Sequence, residues 1–227
     1  MAKFKLFVMR SLTLIIAFAA SGLVSAQQPD TLQNQPNLLL PKFMKGIVKL
    51  KDGKKNTAIL NYDLVNQQMV FLQRKLTLVL DNPLLVDTIF LANRIFVPFD
   101  KGFFEVLFVS PNYVLFKQNK SYAESKGTPI GYGAMSQTTP MSYVRQIYGA
   151  NGAIDLKVPN DVKIVDDSDY WIRRDGKMDR FSSRSQLVRL FPQKSKELDS
   201  FIRKNRVDFT KSDQVRNVIA YLDGLPK

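Results

Sequence analysis

The sequence predicts an α+β protein: a β-rich main body built as an antiparallel β-meander, followed by a small C-terminal helical unit. Two observations carry that class. Across residues 43–116 the chain is a succession of short apolar runs of strand length, among them KLTLVL, DTIFL, RIFVPF, GFFEVLFV and NYVLF, each closed by Gly, Pro, Asn or Asp. Beyond Phe181 the apolar spacing lengthens from the alternation of a strand to the period of about 3.6 that marks an amphipathic helix. The pairs Asp52-Gly53 and Asp175-Gly176 stand where tight hairpins need positive φ.

Lys3, Lys5 and Arg10 precede an apolar run that ends in the small residues Val24, Ser25 and Ala26, the three-part pattern of a secretory signal peptide over residues 1–26. That run is shorter than the about 20 apolar residues of a membrane-spanning helix. Cleavage after Ala26 is expected to leave 201 residues starting at Gln27, exported to the periplasm or cell surface of a Gram-negative bacterium, and lowers the formal charge from +13 to +10. Residues 27–42 form an extended polar arm whose Leu38, Leu39 and Leu40 are apolar enough to dock on the sheet. The chain has no Cys, so its stability comes from packing and not from a disulfide framework.

The absence of His and Cys removes the usual general base near neutral pH, the Ser-His-Asp arrangement, thiol nucleophiles and the common ligands of zinc. No catalytic residue, metal ligand or cofactor is assigned on this sequence. Carboxylates are left, and they are scattered singly through turns. Glu105, the one acid inside the run GFFEVLFV, is expected to face outward from a half-buried strand; facing inward it would be a perturbed carboxylate and a site. Asn61-Tyr62-Asp63 reads as a bend or bulge whose Asn and Asp satisfy local backbone groups while Tyr62 packs across the sheet. Asp166-Asp167-Ser168-Asp169 lacks the Gly and distal Glu of a calcium loop and reads as an acidic turn. Unbroken apolar runs such as Ile89-Phe90-Leu91 and Ile95-Phe96-Val97 predict strands covered on both faces.

The β-rich domain is placed at residues 43–181, with a long polar loop at 117–142 where Gly131-Tyr132-Gly133 sets an aromatic ring on a flexible backbone suited to sugar or peptide. The helical unit occupies residues 182–227. Ser183 with Gln186 makes a capping box for a helix that Pro192 interrupts. A second helix carries Leu198, Phe201 and Ile202 to about Asn205, and Thr210 with Asp213 is expected to cap a third that ends at Gly224 and Pro226.

Lys51-Asp52-Gly53, Leu60-Asn61-Tyr62-Asp63 with Gln68-Met69 after it, Val86-Asp87-Thr88-Ile89, Phe96-Val97, Glu105-Val106-Leu107, Leu190-Phe191-Pro192 and Phe201-Ile202-Arg203-Lys204-Asn205 together resemble exported β-rich proteins common in Bacteroidetes-type bacteria, a family with no function attached. The resemblance covers most of the mature chain. It implies a location in the envelope and carries over no catalytic residue.

From Arg173 to Lys227 there are fourteen basic and seven acidic residues, so this quarter of the mature chain holds most of its positive charge. Tyr132, Arg203, Lys204, Arg206 and Lys211 are the candidate partner-binding residues. The partner expected is an envelope protein or an anionic envelope component, with peripheral membrane association included; basic-aromatic interleaving of the kind that binds nucleic acid is not evident. The sequence therefore reads as a non-enzymatic, exported binding or scaffold protein of the cell envelope. Its alternatives are a carboxylate-dependent hydrolase acting on glycans and a binder of anionic lipid or lipopolysaccharide headgroups. Carboxylates converging in one pocket would favour the first alternative, a continuous basic face the second.

Overall fold

Alternating and unbroken apolar runs assemble into antiparallel sheet in the computed structural model, which describes residues 34–74, 76–100, 102–126, 128–130, 134–136, 156–158, 160 and 162–226. In chain order the strands are β1 (Met44–Leu50), β2 (Lys55–Asp63), β3 (Gln68–Gln73), β4 (Leu76–Val79), β5 (Val86–Leu91), β6 (Arg94–Phe99), β7 (Gly102–Val109), β8 (Val114–Gln118), β9 (Ser121–Ser125), β10 (Thr128–Ile130), β11 (Ala134–Ser136), β12 (Val162–Asp166), β13 (Asp169–Arg174) and β14 (Lys177–Phe181). Ten of them join in one sheet of order β14-β13-β8-β7-β6-β5-β1-β2-β3-β4. The meander spreads from β1 in both directions, and β13 and β14 extend it beyond β8. The helices α1 (Arg184–Leu190), α2 (Ser195–Lys204) and α3 (Ser212–Asp223) follow the last strand. The protein is β-rich and antiparallel, with its helices at the C-terminal end.

Register divides the sheet into two faces. Val48, Ile89, Phe96, Glu105, Lys117, Tyr170 and Phe181 are directly opposed from strand to strand and form an inner row. At one end of that row Val48, Leu60, Tyr62, Met69, Ile89, Leu91, Phe96 and Phe103 make a core on which the sheet rolls up. Tyr62 stacks 6.0 Å from Phe96 and donates from its hydroxyl to the Phe103 carbonyl at 3.4 Å, and burial pushes its pKa up. The roll brings β7 against the turn before β3. A Cβ on Gly102 would lie 2.9 Å from the Gln67 carbonyl oxygen, so only glycine fits there without a shift.

The arm docks on its own sheet, with Leu38 and Leu40 buried. Asn61 holds it by accepting from the Leu40 amide at 3.0 Å and donating to the Leu40 carbonyl at 2.9 Å. Asp63 accepts from the amide of Val65 and the side chain of Asn66. The Asn61-Tyr62-Asp63 side chains thus do what their chemistry predicts, from the end of β2 and not from a bulge.

At the other end of the row Leu115, Tyr170, Ile172 and Phe181 meet Leu187 of α1, Leu198 and Ile202 of α2, and Val215, Val218, Ile219 and Leu222 of α3. Helices this short are marginal alone. Each fully buried leucine or isoleucine in this second core contributes about 1.5–3 kcal/mol, which fixes them to the sheet. A register shift between Val106 and Phe108 lets the consecutive Leu107 and Phe108 pack against the same core.

Ser183 caps α1 by accepting from the Gln186 amide at 3.4 Å, while the Gln186 side chain returns to the Ser182 amide at 2.7 Å, one residue earlier than the capping box predicts. Thr210 does not cap α3. Its amide and hydroxyl both donate to Asp208 Oδ1, at 2.9 and 2.7 Å, and Lys211 takes the N-cap position without a side-chain bond. An Asp two residues before a Thr forms a closed local turn, and that turn wins over the cap.

The span 117–142 is not simply a loop: it carries β9 and the β10–β11 hairpin. β9 pairs with β12 in a separate two-stranded sheet, Ala123 opposite Ile164. Its sequence SYAES has no apolar run to announce a strand, because its partner comes from about forty residues away. Coverage of both faces holds at β3, where Met69 and Val70 are both buried, and at β7, where Phe103 and Phe104 are, and is overturned at β1, β5 and β6. The roll and all three helices lie on the inner side, and on the outer side Ile47, Phe90 and Ile95 are left exposed.

Candidate functional site

The α2–α3 connection gathers the four described candidate residues. α2 ends in a 6→1 turn, with the Val207 amide donating to the Ile202 carbonyl and the Arg206 amide to that of Arg203, both at 3.1 Å. Ile202 and Val207 close this end by packing into the second core. Such a turn places one residue in the left-handed region, where glycine is the usual choice. Here that residue is Arg206, at φ +49°. Its side chain borders a groove of about 600 Å³, together with Arg184, Arg203 and the hydroxyl-bearing Ser183 and Ser185.

Electrostatics give these cations different roles. Arg203 pairs with Asp199 at 2.9 Å one turn back along α2, and Arg184 from α1 pairs with the other oxygen of the same carboxylate at 3.0 Å. One Asp therefore orients two guanidinium groups at the groove edge, a geometry suited to two-point contact with carboxylate or phosphate. Lys211 stands 4.0 Å from Asp208, whose carboxyl is held below its usual pKa first by the two hydrogen bonds from Thr210 and then by Lys211. Among the described residues Lys204 and Arg206 have no ion-pair partner, and both are exposed. Three cations at the C-terminal end of α2 also face the negative end of its dipole.

Other charged groups are taken up by the fold. Glu105 corrects the expectation of an outward side chain: it is buried on the inner row, between the two cores. Its carboxylate accepts from Arg94 at 3.1 and 3.3 Å and from Asn119 at 2.8 Å. Opposition to Phe96 on one side and Lys117 on the other sets this facing. The acidic turn engages cationic side chains: Lys120 pairs with Asp167 and Asp169 at 2.9 Å each, and Arg180 reaches Asp169 at 3.1 Å. Burial alone would push the Lys120 ammonium down, but these two bonds outweigh it and raise its pKa. Among the described residues no group of acidic side chains is arranged to hold a metal ion.

A wider cleft of about 1110 Å³ separates the β7–β8 and β13–β14 turns from the helical unit. Two of its three cations, Arg174 and Lys194, are engaged as well. Arg174 pairs with Asp179 at 3.2 Å and stacks its guanidinium 4.6 Å from the centre of the Phe191 ring, and Lys194 donates to the Leu225 carbonyl at 3.2 Å. Asp223, on its wall, accepts from Asn112 at 2.8 Å.

Tyr132 and residues 1–26, read from the sequence as a signal peptide, lie outside the described residues, as do residues 27–33 of the arm. Arg184 and Ser185 were not singled out by sequence, and Ser183 was read only as a helix cap, because they meet Arg203 and Arg206 only once α1 and α2 have packed. Comparisons with protein-family models, with curated proteins and with solved structures find nothing that matches this chain.

Proposed function

We propose that this is an α+β binding or scaffold component of a bacterial envelope, exported by its leading segment to the periplasm or cell surface. In this reading it works without catalysis and engages an anionic envelope partner through the groove at the α2–α3 connection. The observation that carries it is the convergence of Arg184, Arg203 and Arg206 on one groove, with Arg206 held in a backbone conformation that an arginine adopts only at a cost. Clustered positive charge raises encounter rates with anionic partners, and salt screens it over about 8 Å at physiological ionic strength. The glycan-hydrolase alternative draws no comparable support from Glu105, whose carboxylate is bound by Arg94 and Asn119.

The test replaces Arg203, Lys204 and Arg206 together by Gln. Stability is expected to change by no more than about 1 kcal/mol, as at exposed sites generally. Salt-sensitive retention of the purified protein on isolated envelopes is expected to fall. Retention equal to the parent's at low salt would show that these cations are a solvated face and end this reading.

A further inference from the structure

We propose a second binding surface, independent of the groove: the outer face of the sheet seats on an anionic lipid surface. Ile47, Phe90, Ile95, Val106, Phe116 and Trp171 are directly opposed across β1, β5, β6, β7, β8 and β13, and so form one apolar row on the face away from both cores. Ile47, Phe90 and Ile95 are each 41 % exposed, and Ile59 beside them is 39 % exposed. The same strands bury Val48, Ile89 and Phe96 on the other side, so the exposed end of the row, Ile47, Phe90 and Ile95, does not serve the fold; at its far end Phe116 is buried and Trp171 packs against Phe99 and Phe104. A contiguous apolar patch of this kind marks an interaction surface.

Charge decides what it meets. On β1 the outward residues run Lys45, Ile47, Lys49, which sets a lysine on either side of the row. Lys55 of β2 lies directly opposite Lys49 and adds a third cation beside the row. Asp87 neutralises Lys49 at 2.8 Å, and Asp169 on this side is taken by Lys120 and Arg180. Among the described residues Lys45 and Lys55 have no ion-pair partner. An apolar centre, lysines beside it and a Trp in the row are the make-up of an interfacial membrane surface. A second copy packed face to face would set these lysines against their own kind, which leaves anionic headgroups as the complementary partner. Among the described residues no helix is long and apolar enough to cross a membrane; the contact proposed is with the membrane surface.

Trp171, the only tryptophan in the chain, lies part-buried in the same row against Phe99 and Phe104, so its emission follows a change of environment at this face, and vesicle co-sedimentation reads binding beside it. The full chain is titrated with vesicles of phosphatidylcholine, with and without phosphatidylglycerol, while its emission is followed. A blue shift is expected with phosphatidylglycerol vesicles and little change with phosphatidylcholine alone. Each unpaired lysine near an anionic surface contributes about fivefold in partitioning, so Lys45→Gln with Lys55→Gln should weaken binding about 25-fold, and salt should do the same for the parent. Ile47→Glu with Phe90→Glu should abolish the shift; Ile47→Ser with Phe90→Ser, milder for folding, should weaken it, with unchanged circular dichroism as the control. Arg203→Gln with Arg206→Gln should leave it intact, which separates this surface from the groove. The proposal is overturned if the parent shows no vesicle-dependent shift, or if the groove variant abolishes the shift while the sheet variants keep it. It is overturned equally if the sheet variants only convert a dimer to a monomer in size-exclusion chromatography.

Discussion

Replacing Arg206 by Gly should make the protein more stable and bind its anionic partner less well. Arg206 sits at φ +49°, two residues beyond the last residue of α2. The left-handed conformation costs an L-residue about 1–2 kcal/mol, which glycine does not pay. Glycine gives back about 0.5–1 kcal/mol through the greater freedom of its unfolded chain. Removing an exposed cation from the C-terminal end of α2 withdraws about 0.3 kcal/mol more. The guanidinium has no ion-pair partner among the described residues, so no further loss is expected. The balance is a gain of about 0.5 kcal/mol, or about 1–2 °C in Tm for a domain of this size. Differential scanning calorimetry of the parent, Arg206→Gly and Arg206→Gln reads it. The glutamine variant keeps the strained backbone and loses only the charge, so it should melt about 1 °C below the parent while binding envelopes as weakly as the glycine variant. A glycine variant that melts at or below the parent would mean that the Arg206 side chain stabilises the turn, and the argument that strain is kept there for binding would fail.

Gly53→Val should destabilise the β1–β2 hairpin by about 1–2 kcal/mol in urea denaturation: Gly53 stands at φ +88°, and since a Cβ there meets nothing within 4 Å, the cost is conformational and not steric. An unchanged midpoint would count against it. Glu105→Ala should cost about 1–3 kcal/mol by leaving the buried Asn119 amide without its acceptor, with Glu105→Gln milder and envelope retention unaltered in both. Equal stability of Glu105→Ala and parent would show the carboxylate to be dispensable for folding. Lys120, with its folded pKa raised, contributes stability that is fully present below the unfolded value of about 10.4 and is lost as pH rises through the folded value. The stability gap between parent and Lys120→Met should therefore hold constant at neutral pH and close in strong alkali; a gap independent of alkaline pH would refute the pairing.

What was legible in the sequence was local. Asp175-Gly176 turns the β13–β14 hairpin at φ +47° and +74°, and Pro192 ends α1, because each outcome is decided by the residue's own backbone preference. What escaped was decided by a partner far away in sequence. Glu105 faces inward because β6 and β8 set its register, and nothing in GFFEVLFV states which parity that will be. The same run holds Leu107 and Phe108 on one side through a bulge that no alternation predicts. Lys204, Arg203 and Arg206 were legible as a charge cluster, whereas the groove itself needed Arg184 to arrive from α1.

Adjacent residues of β13 show how the two proposed surfaces relate. Tyr170 points to the inner side and donates from its hydroxyl to the Phe209 carbonyl at 2.9 Å, which ties the sheet to the α2–α3 connection. Trp171 points outward into the apolar row, held by its indole N–H to Gln118 at 3.1 Å. The alternation of a single strand thus puts the groove and the outer row on opposite sides of one sheet. Occupation of one leaves the other open, since neither shares a lining residue with the other. A binder needs one such surface; a scaffold needs two that do not compete, and the sheet provides that separation by the elementary fact that successive side chains of a strand face opposite ways.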